Sequence, residues 1–247
     1  MPHQLQRRVM QPSLEHSIWF NEQQFAFIYL PKVACTSWKL FLWQVSGQAL
    51  PPDLEYKQVH EVGRLPLPYV GGMEPAQQQQ FVGALHSGDL LTIAVVRDPR
   101  SRILSAYLDK IRFHDNPASQ FSRSVLPAIQ RFHGLKSTQR PSFEQFLQWN
   151  GSQPDSGAWN PHWRPMVHLL GPCQRLRLWP MERMEDAIQT VNERFGTNCP
   201  FPNRQALGPR VTYNSQDQLT RYVGAKEQTL LQELYRDDLT LHAELVA

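Results

Sequence analysis

Phe25-Ala26-Phe27-Ile28-Tyr29-Leu30-Pro31-Lys32-Val33-Ala34-Cys35-Thr36-Ser37-Trp38 is the stretch whose reading decides the fold. Its first six residues are a continuous apolar and aromatic run, too short for a helix and closed by Pro31. They read as a strand covered on both faces. From Ala34 onward Trp38, Leu40, Phe41, Leu42 and Val45 return at a helical period, with Gly47 as the expected terminator. A helix that begins just after Pro31 directs unpaired backbone N–H groups, and the positive end of its dipole, into the turn. The natural occupant of such a turn is an anion. Lys32 adds a full positive charge, and Thr36 and Ser37 add hydroxyl donors. This is the division of labour of a phosphate-binding loop in a different spelling: GxxxxGK[ST] is absent, and the lysine precedes the helix. The competing reading is a plain corner between strand and helix with a solvated lysine.

A second stretch repeats the pattern. Residues 90–96, LLTIAVV, read as another buried strand that changes character abruptly at Arg97. Asp98 suits an N-cap and Pro99 the first helical position. The helix is predicted to run to about Arg112, with Ile103, Leu104, Ala106, Tyr107, Leu108 and Ile111 as its apolar face. Arg97 is then left at the carboxyl end of a central strand, the edge where open parallel sheets hold their ligands. Ser101, Ser105 and Arg112 recur on one polar side. A solvated helix face, with Arg97 paired to a nearby carboxylate, is the alternative.

The remaining chain bounds the answer. Its 247 residues suffice for one substantial α/β domain, with 41% hydrophobic and 19% charged residues. A net charge of +3 without a basic run does not point to nucleic acid. Cys35, Cys173 and Cys199 form neither a CxxC pair nor an even set, so no zinc site or disulfide framework is expected. The polar first residues carry no apolar segment, so neither a signal peptide nor a membrane span is expected, and the chain is placed in the cytoplasm.

In order, residues 1–20 read as a loose arm, Tyr56–His60 as a second strand ending in His60, residues 65–72 as a loop, and Pro75 as the start of a helix to Leu85. Residues 113–165 read as a helical insertion toward an acceptor site, without a core of their own. The insertion has helices at 121–132 and 143–149, the latter capped by Ser142, and ends in the turn Asn160-Pro161-His162-Trp163-Arg164-Pro165. A strand at 175–179, a helix at 182–195, a segment rich in proline and glycine at 198–214, and one or two amphipathic helices over 219–245 complete the chain. Alternating strands and helices predict a single α/β domain over residues 1–247, with a parallel, doubly wound sheet flanked by helices.

PKVACTSWK and VVRDPRSRILSAYLDK in that order, followed by NPHWRP, GPCQ, ERMEDA and the closing LYRDDLTLH, resemble the carbohydrate sulfotransferase family that includes the Golgi enzymes acting on chondroitin, dermatan and the HNK-1 epitope. The similarity runs over about residues 25–245, and the closing stretch matches the family's terminal Tyr-x-x-Asp. The chain looks like a compact, soluble form, as a bacterial member would be. The resemblance implies a P-loop-like sulfotransferase fold and 3′-phosphoadenosine 5′-phosphosulfate (PAPS) as sulfate donor. It implies that Lys32, Thr36 and Ser37, with the backbone of Val33, Ala34 and Cys35, hold the 5′-phosphosulfate, and that Arg97 and Ser105 hold the 3′-phosphate. It also implies an acceptor hydroxyl, on a glycan. Cys173 falls in the family's Pro-Cys position.

Sulfuryl transfer is dominated by positioning and charge stabilisation, so Lys32 is expected to meet charge developing on the leaving oxygen, and no metal is required. For the general base His60 is the first candidate and His162 the second. His162, with Arg164, could instead fix its turn or contact the acceptor, and Glu61 is a third candidate. Two other classes compete: a nucleotide-dependent kinase with a divergent phosphate loop, and a relative that binds nucleotide or glycan without catalysis. Acceptor identity, oligomeric state and adenine contacts stay open, with Asn214 and Ser215 as residues of a loop that could close over the base.

Overall fold

A computed structural model describes residues 12–51, 53–60, 64–171, 176–202 and 214–247. In chain order the strands are β1 Ser17–Phe20, β2 Phe25–Ile28, β3 Leu91–Val96 and β4 Leu176–Pro180. The first helices are α1 Cys35–Val45, α2 Pro75–Ser87, α3 Pro99–Tyr107, α4 Leu126–Phe132 and α5 Phe143–Gly151. They are followed by α6 Met166–Leu170, α7 Met184–Phe195, α8 Ser215–Tyr222, α9 Ala225–Leu234 and α10 Arg236–Val246. The described residues divide into two compact units, one of residues up to 96 with 166–202, the other of 97–165 with 214–247.

The first unit holds the sheet, in the order β1-β2-β3-β4. β2, β3 and β4 run parallel, and β1 pairs antiparallel with β2. The α/β class with flanking helices is as the sequence predicts. The correction is at the edge, where the tail of the expected loose arm is strand: Ser17–Phe20 is buried throughout and sets Trp19 opposite Ala26 and Phe20 opposite Phe25. Period-two alternation then sorts side chains to two faces. On one face Trp19 meets Phe81 of α2 at a ring separation of 5.6 Å, in a cluster with Ala26, Leu85 and Leu90. On the other, Phe20 and Phe25 pack on Phe195 of α7, and Phe27 stacks on Trp38 of α1 at 4.7 Å. Burying a side chain of this size contributes about 1.5–3 kcal/mol, so both helical layers are tied to the sheet by aromatic area.

Tyr56–His60 is a 3₁₀ turn, not the expected second strand. β2 already has β1 on one side and β3 on the other, so the segment has no free sheet edge beside it. It is held instead by Val59, buried against Leu40, Leu54 and Leu65.

In the second unit Asp98 accepts from Ser101 N–H at 3.0 Å and Pro99 opens α3, as predicted. The helix passes into a wide π turn at Leu108–Arg112. Ser142 caps α5 in a reciprocal box with Gln145. The residues read as an insertion share one core with α3 and the C-terminal helices, built on Tyr107, Phe146, Trp163, Leu231 and Tyr235. The chain ends in three helices where one or two were expected, because the helical run breaks at Gly224 and again at Tyr235. Leu239 and Leu241 are only half-buried, and the position that α10 buries fully is Asp238.

Candidate functional site

The turn between β2 and α1 is held from below by Leu30 and Val33, both buried, with Val33 N–H donating to Leu30 O at 3.2 Å. On either side of Val33 the backbone enters the left-handed region, at Lys32 (φ +70°) and Ala34 (φ +49°). For residues with a Cβ this costs on the order of 1–2 kcal/mol each, strain that clusters at functional sites. Ala34 precedes α1 without offering a side-chain cap, and the first turn of the helix holds no acidic residue. The dipole is therefore left positive where Lys32 stands, and backbone N–H groups bent around left-handed residues form an anion-binding concavity.

Thr36 and Ser37, in the first turn of α1, are buried, at 2% and 6% exposure. Thr36 Oγ1 lies 2.8 Å from His60 Nε2, so two of the sequence candidates are brought together although the segment carrying His60 is not a strand. One helical turn along the same face is Lys39, 5% exposed and unrecognised in the sequence. Its Nζ lies 3.4 Å from His60 Nδ1, 4.3 Å from the Tyr29 ring centroid and 5.1 Å from that of Tyr69. Burial lowers the Lys39 pKa below the ordinary lysine value, with Cys35 acting in the opposite sense. Burial likewise raises the phenols of Tyr29 and Tyr69, so both stay neutral. Glu15, Tyr29, Lys39 and His60, with residues 65–69 and 71–73, line a cavity of about 630 Å³, within the range of small-ligand sites. The signal for Lys39 was a lone charge inside the run Trp38-Lys39-Leu40-Phe41-Leu42.

In the second unit Arg97 is held by hydroxyls: Nε donates to Ser101 Oγ at 3.0 Å and an Nη to Ser215 Oγ at 2.6 Å. Ser215 is fully buried at the start of α8, and Ser105 lies half-buried one turn beyond Ser101 on α3. In the turn at 160–165 the His162 backbone N–H and ring Nδ1 both meet Asn160 Oδ1, at 3.1 and 2.8 Å. An oxygen that receives the backbone N–H accepts from Nδ1 as well, which fixes the proton on that nitrogen. Arg164 Nε donates to Trp159 O. Arg102, fully buried, donates to Arg164 O and Pro161 O at 2.9 and 3.0 Å, and Tyr235 donates to Trp163 O at 2.8 Å. Burial lowers the Arg102 pKa, and the charge of buried Asp238 opposes that. The closing Tyr-x-x-Asp is thus a brace for this turn. Glu61 and Cys173 lie outside the described residues.

A family model described as "Sulfotransferase family" matches residues 15–243. The chain belongs to the Sulfotransferase family. Among its curated relatives, carbohydrate sulfotransferase 14 of Danio rerio is 26% identical over 247 residues, covering 95% of this chain and 63% of the relative. Carbohydrate sulfotransferase 14 of Mus musculus is 27% identical over 206 residues, 81% of this chain and 52% of the relative. Carbohydrate sulfotransferase 11 of Mus musculus is 24% identical over 250 residues, 95% and 69% respectively. The chain thus spans 52–69% of the length of these relatives. No solved structure matches the chain. Among the described residues no helix is long and apolar enough to cross a membrane, and no group of three or more metal-ligating side chains comes together.

Proposed function

We propose that this chain transfers the sulfuryl group of PAPS to a hydroxyl of a carbohydrate acceptor. The observation that carries the proposal is the strained, uncapped start of α1, with Lys32 beside it, in a chain of the Sulfotransferase family. The residues fit an anionic donor. The first turn of α1 offers an anion no acidic competitor, and Arg97 is presented in a fixed position by two hydroxyls. Lys32, Thr36 and Ser37, with the backbone of Val33, Ala34 and Cys35, would hold the 5′-phosphosulfate. Arg97 and Ser105 would hold the 3′-phosphate. The donor supplies an activated sulfuryl group; Lys32 supplies the positive charge that stabilises the departing oxygen.

Proton removal from the acceptor needs a neutral imidazole with a lone pair to spare. Asn160 fixes the His162 ring proton on Nδ1, which puts the lone pair of the neutral ring on Nε2. In His60 both nitrogens already face side chains, Thr36 and Lys39. His60 and His162 are the two candidates for this base, with His60 first. The kinase reading draws no support from the family match, and a carbohydrate acceptor is favoured by the names of the relatives. A cytoplasmic site of action is part of the proposal and is tested by fractionating expressing cells.

The deciding experiment incubates the protein with sulfur-labelled PAPS and a panel of oligosaccharides. Label in a saccharide product, lost in Lys32→Ala, is expected. Absence of transfer to every saccharide, or transfer by Lys32→Ala at the wild-type rate, would sink the proposal.

A further inference from the structure

The cavity beside the donor loop has no place in the roles assigned so far, and a buried cation stands in its wall. Lys39 is 5% exposed. Its Nζ faces the Tyr29 and Tyr69 rings at 4.3 and 5.1 Å and His60 Nδ1 at 3.4 Å. Among the described residues no carboxylate forms an ion pair with it. Glu15, the acid that lines the cavity, is exposed and bears on the Tyr29 phenol, not on the amine. Buried charges are ordinarily paired, and two ring faces offset only part of the cost of taking an ammonium out of water. Burial accordingly pulls the Lys39 pKa down.

The walls around this amine are already in place. Tyr29 O–H donates to Glu15 O at 2.9 Å. Tyr69 bridges to Ile18 of β1, and its ring meets that of Tyr29 edge to face at 6.2 Å, so the two rings form a corner around the cation. Leu65 and Leu67, both buried, and Met73 add apolar wall. A Cβ at Gly71 would sit 3.0 Å from Glu15 Cα, so the segment is packed down onto the chain beneath it. One ammonium balances one negative charge, and apolar walls on the remaining sides would leave a polyanion uncompensated. His60, a candidate for the base, lines the same cavity and meets Thr36 of the donor loop at 2.8 Å, so a ligand seated here brings its hydroxyls to that loop.

We propose that this cavity takes the acceptor, a hydroxylated ring that carries one carboxylate, and that Lys39 is the residue that selects for the charge. Two sources share this chemistry, an acidic sugar and an aromatic hydroxy acid. The role as acceptor site rests on the sulfotransferase reading; the binding of the ring does not.

The test measures equilibrium binding by NMR with two matched pairs of probes: methyl glucuronide beside methyl glucoside, and 4-hydroxybenzoate beside 4-hydroxybenzyl alcohol. The acid of at least one pair should bind about tenfold tighter than its neutral partner, the worth of one hydrogen bond to a charged group, and the pair that shows it names the source. Lys39→Met should remove that preference while the neutral partner and 3′-phosphoadenosine 5′-phosphate bind as before, a pattern that loss of fold does not produce. Met73→Glu, which sets a competing carboxylate in the wall, should reduce the preference with Lys39 intact. Equal binding within both pairs by the wild type would overturn the proposal, and decides the matter alone if Lys39→Met does not fold. A preference that survives in Lys39→Met would overturn it as well. The reading beneath it fails separately: acids bound through Lys39 but never sulfated from PAPS would leave the cavity assigned and remove the sulfotransferase reading, whereas transfer to neutral sugars without any preference for the acids would do the reverse.

Discussion

Arg102 and Lys39 are both buried cations, one in each unit, and they are kept in opposite ways. Arg102 spends its donors on two backbone carbonyls and lies in the field of buried Asp238. Lys39 is held by two ring faces and the imidazole of His60, none of them an anion. A cation matched to fixed acceptors and an anion is a brace, and its removal breaks the fold. A cation held by soft partners is poised, and its removal changes what the neighbouring groups can do. Arg97, bonded to Ser101 and Ser215, stands between these extremes, aimed without being neutralised by the hydroxyls that hold it.

The sharpest break of this comparison is on the brace. Asp238→Ala leaves the Arg102 guanidinium buried without its carboxylate and should cost about 3–5 kcal/mol in denaturant unfolding. Replacing both partners by apolar residues, Arg102→Met with Asp238→Leu, should cost far less than the single change; equal losses would show that the pair is not coupled. Lys32→Ala should lower the rate of sulfate transfer roughly a hundredfold, about 3 kcal/mol, with little change in melting temperature. A loss of only a few fold would remove Lys32 from the mechanism. Arg97→Ala should weaken 3′-phosphoadenosine 5′-phosphate by about 1.5–3 kcal/mol and adenosine 5′-phosphate hardly at all. Equal weakening of the two would show that Arg97 does not read the 3′-phosphate.

The smallest effect concerns Lys39 and is a matter of sign. Its folded pKa lies below the ordinary 10.5, so between the two values the unfolded chain holds the extra proton. Stability then rises with pH through that window. Relative to Lys39→Met, the wild type should gain melting temperature as pH climbs toward 10.5, and the contributions of Tyr29 and Tyr69, present in both proteins, cancel in the difference. A difference that shrinks with rising pH would contradict a buried, destabilised charge.

What could be read from sequence was whatever announces itself through a change of period. β2, β3, the start of α1 and the Asp98–Pro99 opening of α3 each join an apolar run to a capping or turn residue, and the structure has them where expected. β1 was hidden because four residues are too few to show alternation, and its identity as strand comes from its antiparallel partner. Lys39, Arg102 and Asp238 were hidden for a common reason: a periodicity reading counts apolar positions, so a charge inside a buried helical face registers as an interruption. Ser215 could not be joined to Arg97 across 118 residues without the fold. The strain at Lys32 and Ala34 was invisible because neither is glycine, the residue that usually marks a left-handed position.

The most direct test of the account is the thermal shift of the purified protein with 3′-phosphoadenosine 5′-phosphate, beside adenosine 5′-phosphate, ADP and ATP at equal concentration. A ligand at a hundred times its dissociation constant adds about 2.7 kcal/mol of stability. The account predicts a clear upward shift with the bisphosphate and a much smaller one with each of the others. An equal shift with ATP, or none with the bisphosphate, would contradict it.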